Sequence, residues 1–232
     1  MRHRFLAFLV LAPCLHAAEP NALTQEEQRQ GYQLLFDGQS LQGWQLLRPD
    51  AAAATQGNWA VEEGCLVPKG RPRELMTTAE YGDFELLFDW KIGKAGNSGV
   101  LYRIEPQYNA PTSGPEYQLL DDANHPAATQ YPDRRTGAAY AIYPPTDRAS
   151  STRRPAGQWN TSRILVRGNH VEHWLNGVQV LAYELHSPDW KERVSKSKFA
   201  KQPQYGRAAK GRIVLQDHNS AVWFRNLKVR SF

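Results

Sequence analysis

Residues 96–122 read GNSGVLYRIEPQYNAPTSGPEYQLLDD, and this stretch decides the fold. It predicts two neighbouring strands, 99–105 and 116–120, joined by a loop rich in Pro, Gly, Ser and Asn. Side chains alternate along a strand, so Asn97, Leu101 and Arg103 should point one way and Val100, Tyr102 and Ile104 the other. Glu116 and Gln118 share a face of the second strand. A cation, a carboxylate and two amides are thereby gathered on adjacent strands. An antiparallel sheet with one face in water accounts for the same alternation without any chemistry.

Outward from this pair, the signals are almost all strand and turn. FELLFDWKI places Phe84, Leu86, Phe88, Trp90 and Ile92 on one face and Glu85, Leu87, Asp89 and Lys91 on the other. NWAVEEGCLVPKG reads as a hairpin turning at residues 62–64. YQLLFDGQSLQGW carries a turn at Asp37-Gly38 and a tryptophan, Trp44, expected to be buried. Later, WNTSRILVRG (159–168), HVEHWL (170–175) and VQVLAY (178–183) read as strands, the first two joined at Gly168-Asn169 and the last two by Asn176-Gly177, a strong two-residue hairpin turn. The C-terminal stretch, residues 211–232, reads as a closing hairpin around His218–Ser220. Two regions break the pattern: residues 123–160, a long irregular segment expected to be a lid or binding loop or else disordered, and residues 187–211, whose lysine-rich part 191–210 is expected to be a solvated loop. About a dozen short strands with almost no helical period predict an all-β sandwich or barrel.

The chain has 232 residues, 41% hydrophobic and 22% charged, which suits one sizeable core without repeats or linkers. Its first 18 residues carry Arg2 and Arg4, an apolar run and then Ala17 and Ala18, the pattern of an export signal too short to span a bilayer. Pro13 before Cys14 fits lipid attachment poorly, so a soluble periplasmic or secreted protein is expected. Residues 19–31 read as a polar lead-in, with Thr24 and Glu27 forming a capping box. The domain proper spans 32–232. Loss of the signal takes Cys14 and two positive charges from a formal net charge of +5. Cys65 is then alone, expected as a small buried hydrophobe rather than a nucleophile. So mild a charge points to neither nucleic acid nor a membrane surface.

Several chemistries are excluded. There is no Gly-rich phosphate loop, no Cys or His pair at zinc spacing, no Gly-x-Ser-x-Gly elbow, and no Glu-x-Asp-x-x-Glu strand. Glu85 and Asp89 would lie about 13 Å apart along a strand, which does not suggest an ordinary two-carboxylate glycosidase. Gln216 and His218 should share a face with Val214 and could line the same surface as Glu116 and Gln118, although His218 could equally just stabilise its turn. His173 reads as a core histidine, and His125 as either a site or a turn residue. Ser197-Lys198-Phe199 could fold over a polar substrate. Trp159, Tyr102 and Tyr140 are candidate sugar platforms, with core packing the plain alternative for each.

The segments LLFDGQSLQGW, GDFELLFDWKIGKAGNSGVLYR, GPEYQLLDD, PAGQWNTSRILVRGNHVEHWLNGVQV, SKFAKQPQYG and GRIVLQDHNSAVWFRNLKV occur in that order. Together they resemble the 3-keto-disaccharide hydrolase domain family, over nearly all of 32–232. The resemblance implies a concanavalin A-like jelly-roll β-sandwich that cleaves glycosides whose sugar is already oxidised at C3. It places Asn97, Arg103, Glu116, Gln118, Asp121, Lys198, Gln216, Asp217 and His218 at matched motif positions. The chemistry it implies makes Glu116 and His218 the base or acid candidates and Arg103 and Lys198 the candidates to stabilise an enolate. Asn97, Gln118, Asp121 and Gln216 are then substrate-binding candidates, joined by His125 and Trp159 from the reading of the residues themselves. A divalent metal could serve as Lewis acid, with ligands from Glu116, Asp121, Asp122, His125 and Asp217, but no spacing demands one. The expected partner is a small carbohydrate; a lectin-like, non-catalytic sandwich is the alternative. The loop 136–157 varies in such proteins, so the linkage cleaved is not implied.

Overall fold

The structure, a computed structural model, describes residues 19–47, 58–108 and 110–232. The export signal and Cys14 lie outside the described residues. Two antiparallel sheets pack face to face. The larger comprises β1 (Gln33–Leu34), β3 (Trp59–Glu62), β4 (Cys65–Pro68), β6 (Phe84–Ile92), β9 (Asn160–Arg167), β10 (His170–Leu175), β11 (Val178–Glu184) and β13 (Val222–Ser231). Its strand order is β11-β10-β9-β6-β13-β4-β3, with β1 on β13. The smaller comprises β2 (Trp44–Leu46), β5 (Leu75–Thr77), β7 (Asn97–Ile104), β8 (Glu116–Leu120) and β12 (Arg212–Leu215), in the order β2-β5-β12-β7-β8. This is the jelly-roll sandwich expected from the sequence.

The core is what alternation dictates. Phe84, Leu86, Phe88, Trp90 and Ile92 of β6 face Val100 and Tyr102 of β7, Tyr117 and Leu119 of β8, and Ile213 and Leu215 of β12. Each such side chain contributes roughly 1.5–3 kcal/mol by leaving water. Polar atoms inside this layer are paired, as burial requires. The Trp90 indole donates to Ser162 Oγ at 2.8 Å, Ser162 Oγ donates to the Tyr117 hydroxyl at 3.0 Å, and Tyr117 donates to the Trp174 carbonyl at 3.1 Å. His173 is the core histidine expected of it. Its Nδ1 lies 3.0 Å from the Gly137 carbonyl and must donate, so Nε2 accepts from the Tyr102 hydroxyl at 2.9 Å. Burial lowers its pKa to about 4, and the ring stays neutral.

The capping box is present at α1 (Gln25–Arg29): Glu27 N donates to Thr24 Oγ1 and Thr24 N to Glu27 Oε2. Trp44 is buried and donates its indole N–H to the Leu35 carbonyl at 2.6 Å. Cys65 is buried, and burial pushes its thiol pKa up. Short helices punctuate the loops: α2 (Ala110–Ser113), α3 (Pro126–Gln130) and α4 (Arg148–Thr152).

Three expectations are corrected. First, the C-terminal stretch is not a hairpin: β12 lies in the smaller sheet and β13 in the larger, and residues 216–221 cross between them. Ile213 and Leu215 on one strand, and Val222 and Phe224 on the other, enter the same core from opposite sides. Second, the lysine-rich region contains a helix, α5 (Pro188–Lys196), capped by Ser187 Oγ accepting from Trp190 N and started by Pro188. Third, Arg103 does not follow the alternation of its strand. The β7–β12 register slips between Arg212 and Val214, and Arg103 sits at φ +53°. This bulge puts Ile104 with Leu101 in a small apolar cluster instead of with Tyr102 in the main core.

The bulge aims Arg103 at the turns flanking the larger sheet. Its guanidinium donates to the carbonyls of Gly82 at 3.1 Å and Gly168 at 2.9 Å, and to Asp83 at 3.1 Å. Arg103→Ala is therefore expected to destabilise the protein by about 2–3 kcal/mol, by leaving those acceptors without their donor. Urea melts would show this as a lower midpoint; a midpoint equal to wild type would contradict the assignment.

Candidate active site

The outer face of the smaller sheet, turned away from the core, carries a cavity of about 250 Å³ lined by Glu74, Asn97, Glu116, Gln118, Tyr140, Lys198, Gln216, Asp217 and His218. Alternation builds most of it: Asn97 from β7, Glu116 and Gln118 from β8, and Gln216 just past β12, where its N–H still bonds to the Gly99 carbonyl at 2.9 Å. Asn97 Oδ1 accepts from Gln118 Nε2 at 2.8 Å, which fixes both amides.

Glu116 sits at the centre. It is 4% exposed, and no described residue donates a hydrogen bond to its carboxyl. Its room comes from the neighbouring strand: a Cβ on Gly99 would stand 2.2 Å from Glu116 Oε1. Burial raises its pKa to about 8; Lys198 draws it down in part and Glu74 adds to the rise. Asp217 is raised as well by burial, against hydrogen bonds from the backbone of Asn219 at 2.9 Å and Arg73 at 3.2 Å.

Two irregular segments complete the site. Residues 137–140 run along the free edge of β8. Gly137 N bonds to Gln118 O, Gln118 N to Ala138 O and Tyr140 N to Glu116 O, at 2.9, 3.1 and 3.0 Å. This covers a sheet edge and brings Tyr140 beside Glu116. Lys198, just after α5, places its ammonium 4.1 Å from the centre of the Tyr140 ring. Its position is held by a column of rings. Phe199 stacks on Tyr205 at 4.0 Å, Tyr205 on Trp190 at 5.7 Å, and Trp190 on Tyr183 of β11 at 5.5 Å.

Of the residues singled out in the sequence, the structure brings together Glu116, Gln118, Asn97, Lys198, Gln216, His218, Asp217 and Tyr140. It places others elsewhere. Arg103 is the inter-sheet tie described above. Asp121 accepts from Ala95 N and Asn124 Nδ2 at 2.8 and 2.7 Å, and from Ala123 N. Burial alone would raise its pKa, but these donors bring it below the usual value. His125 caps α3 by accepting from Ala127 N at 3.2 Å, the turn role rather than the site role. Trp159 lies on the outer face of the other sheet, in a cleft with Lys91, Trp223 and Arg225. Its position beyond a Pro-Gly turn gives no alternation from which its side could be read. Tyr102 is in the core. Glu74 was not anticipated from the sequence; it precedes β5 by one residue, in RPRELMTT, where only its phase with Met76 could have flagged it.

Of the metal ligands considered from the sequence, Glu116 and Asp217 share the cavity and the other three do not. Asp121 and His125 are engaged as above, and Asp122 binds Thr136 and pairs with Arg153. Among the described residues no group of three or more His, Cys, Asp or Glu is placed to hold an ion. Glu85 and Asp89 are also engaged: Glu85 by Arg163 and Arg230, and Asp89 by Thr161 and Asn226.

The Glu116 shift has a consequence for stability. The folded protein keeps this proton up to pH about 8, while the unfolded chain releases it near the ordinary glutamate value of 4.5. Ionisation therefore works against folding as pH rises through that window. Glu116→Gln is expected to melt like wild type near pH 4 and to be more stable near pH 9, by a few kcal/mol at most. Thermal melts at both pH values would check this; an equal shift at both would contradict it.

Known proteins resemble this chain in sequence and fold. The family model of the 3-keto-alpha-glucoside-1,2-lyase-like domain matches residues 31–230. A Bacteroides thetaiotaomicron protein named 3-keto-disaccharide hydrolase is 31% identical over 249 residues, covering 93% of this chain and 83% of that protein. The crystal structure of a candidate glycosyl hydrolase from Parabacteroides distasonis matches with a TM-score of 0.83 and 38% identity, over 92% of this chain and 100% of that one. A carbohydrate binding module from Bacillus subtilis shares the fold alone, with a TM-score of 0.50 and 13% identity, over 80% of this chain and 94% of that one. The chain thus belongs to the 3-keto-alpha-glucoside-1,2-lyase-like domain family and is a carbohydrate hydrolase.

Proposed function

We propose that the protein cleaves the glycosidic bond of 3-keto-glycosides by elimination and hydration. The observation that carries this reading is the Glu116 carboxyl: buried, without a hydrogen-bond donor among the described residues, poised near pH 8, and facing a cavity beside a lysine. A ketone at C3 acidifies the C2 proton. The carboxylate form of Glu116 takes that proton, and the electron pair moves into a C2–C3 enolate. The enolate collapses to restore the ketone as C2=C1 forms and the C1–O bond breaks. The leaving oxygen takes a proton, for which His218 at the rim is the candidate donor. Water then adds at C1 and a proton returns to C2, so the net reaction consumes one water. The Lys198 ammonium is the candidate partner for the enolate oxygen. Asn97, Gln118 and Gln216 supply amides for the ring hydroxyls, and Tyr140 supplies a ring face.

A lectin-like site would favour aromatic platforms and has no use for a carboxyl whose desolvation is left uncompensated. The relative named 3-keto-disaccharide hydrolase supports the substrate class. The pattern of residues 1–18 supports export, with Glu19 as the first residue of the mature protein; N-terminal sequencing of the exported protein would test this.

Mature protein is expected to release 3-keto-glucose from 3-keto-trehalose and nothing from trehalose. With Glu116 as base, the rising limb of the kcat–pH profile should be centred near pH 8. Glu116→Gln should lower kcat by at least about a hundredfold. Cleavage of unmodified trehalose, or wild-type turnover in the variant, would overturn the reading.

A further inference from the structure

A second cavity, of about 270 Å³, adjoins the Glu116 cavity and is formed by Lys69, Gly70, Asn219, Ser220 and Asp217 with Pro68 and Ala221. Resting on the reaction just described, we propose that this cavity is the subsite for the leaving sugar, and that Lys69 and Asn219 select a hydroxylated leaving group over an alkyl or aryl one.

The two cavities share one side chain, Asp217, and one stretch of chain. Gln216, Asp217 and His218 line the first, and Asp217, Asn219, Ser220 and Ala221 the second. The crossing from one sheet to the other is what makes this possible, because the chain turns through Asn219 at φ +56° and presents successive side chains to both. The partition between them is fixed. Asp217 accepts from Asn219 N and Arg73 N, and Ser220 Oγ accepts from Asn97 N at 3.0 Å, so an amide of the first cavity is tied to a hydroxyl of the second.

Size and chemistry agree with one sugar on each side. Each cavity falls just below the roughly 300–1,000 Å³ of sites for drug-sized ligands. The second is lined by an ammonium, an amide, a hydroxyl and a carboxylate, and among the described residues no aromatic ring lines it. That suits a ring edged with hydroxyls and offers no stacking surface to a flat aryl group. Lys69 is half-exposed and pairs with Glu62 at 2.7 Å, so its ammonium keeps further donors for a ligand. With a 3-keto ring beside Glu116 and its partner here, the bond to be broken lies at the shared wall, next to Asp217 and His218.

The test uses Lys69→Ala and Asn219→Gly, singly and together; glycine keeps the left-handed backbone that Asn219 adopts. The probes are 3-keto-trehalose and methyl 3-keto-α-glucoside, which carry the same keto ring and differ in the leaving group. The ratio of kcat/KM for the disaccharide to that for the methyl glycoside should fall about tenfold or more in the double variant. A ratio within twofold of wild type, with the variants folded by thermal melt, would overturn the subsite while the reaction stands. No turnover of either probe by the wild type would overturn both.

Discussion

A carboxyl largely shielded from water at the wall of a cavity, with no hydrogen-bond donor among the described residues, is the constraint on which the functional half of this structure depends. Such a group is unfavourable unless it keeps its proton, which is why Glu116 titrates near pH 8. The sandwich tolerates it because the other face of the same strand is deep in the core, where Tyr117 and Leu119 are fully buried. Gly99 removes the side chain that would collide with it, and the edge pairing of residues 137–140 holds β8 in place. The ring column from Tyr183 to Phe199 ties Lys198 to the larger sheet, so cation and carboxyl approach from separate elements that share one core.

Hydrogen-bond accounting separates structural from chemical polar groups across the molecule. His173, Arg103, Asp121 and Glu85 are buried, and each has partners that satisfy it. A buried polar group with its bonds made stabilises a fold and offers little to a ligand. Glu116 is buried with no hydrogen-bond donor among the described residues. The same distinction explains why the larger sheet, with its network of arginine–carboxylate pairs, gathers many charges and yet leaves Glu85 and Asp89 committed to neighbours.

Much of this was legible in the sequence, and the limits have physical causes. Period-two alternation gave β6 and β8 and the faces of Glu116, Gln118 and Gln216 correctly, because buried strands obey it strictly. Arg103 escaped because a bulge reverses the phase by one residue, and neither Tyr102 nor Ile104 announces it; only Gly114 and Gly211, each packed against the bulged backbone, hint at a close approach there. The crossing at 216–221 reads as a hairpin in the sequence because turn residues mark a change of direction but not the sheet that receives the next strand. Ser187-Pro188-Asp189 was a usable helix start that the surrounding lysines obscured. Asp121, His125 and Trp159 lie at strand ends or in loops, where no periodicity assigns a side.

The central claim is that the C2 proton is removed before the glycosidic bond breaks and is replaced afterwards. The most direct measurement is the reaction of 3-keto-trehalose in D2O, with the released 3-keto-glucose analysed by NMR and mass spectrometry. The account predicts one deuterium at C2 of the product from the cleaved ring, beyond any exchange seen without enzyme. Product that retains its original hydrogen at C2 would mean direct displacement at C1, and would contradict it.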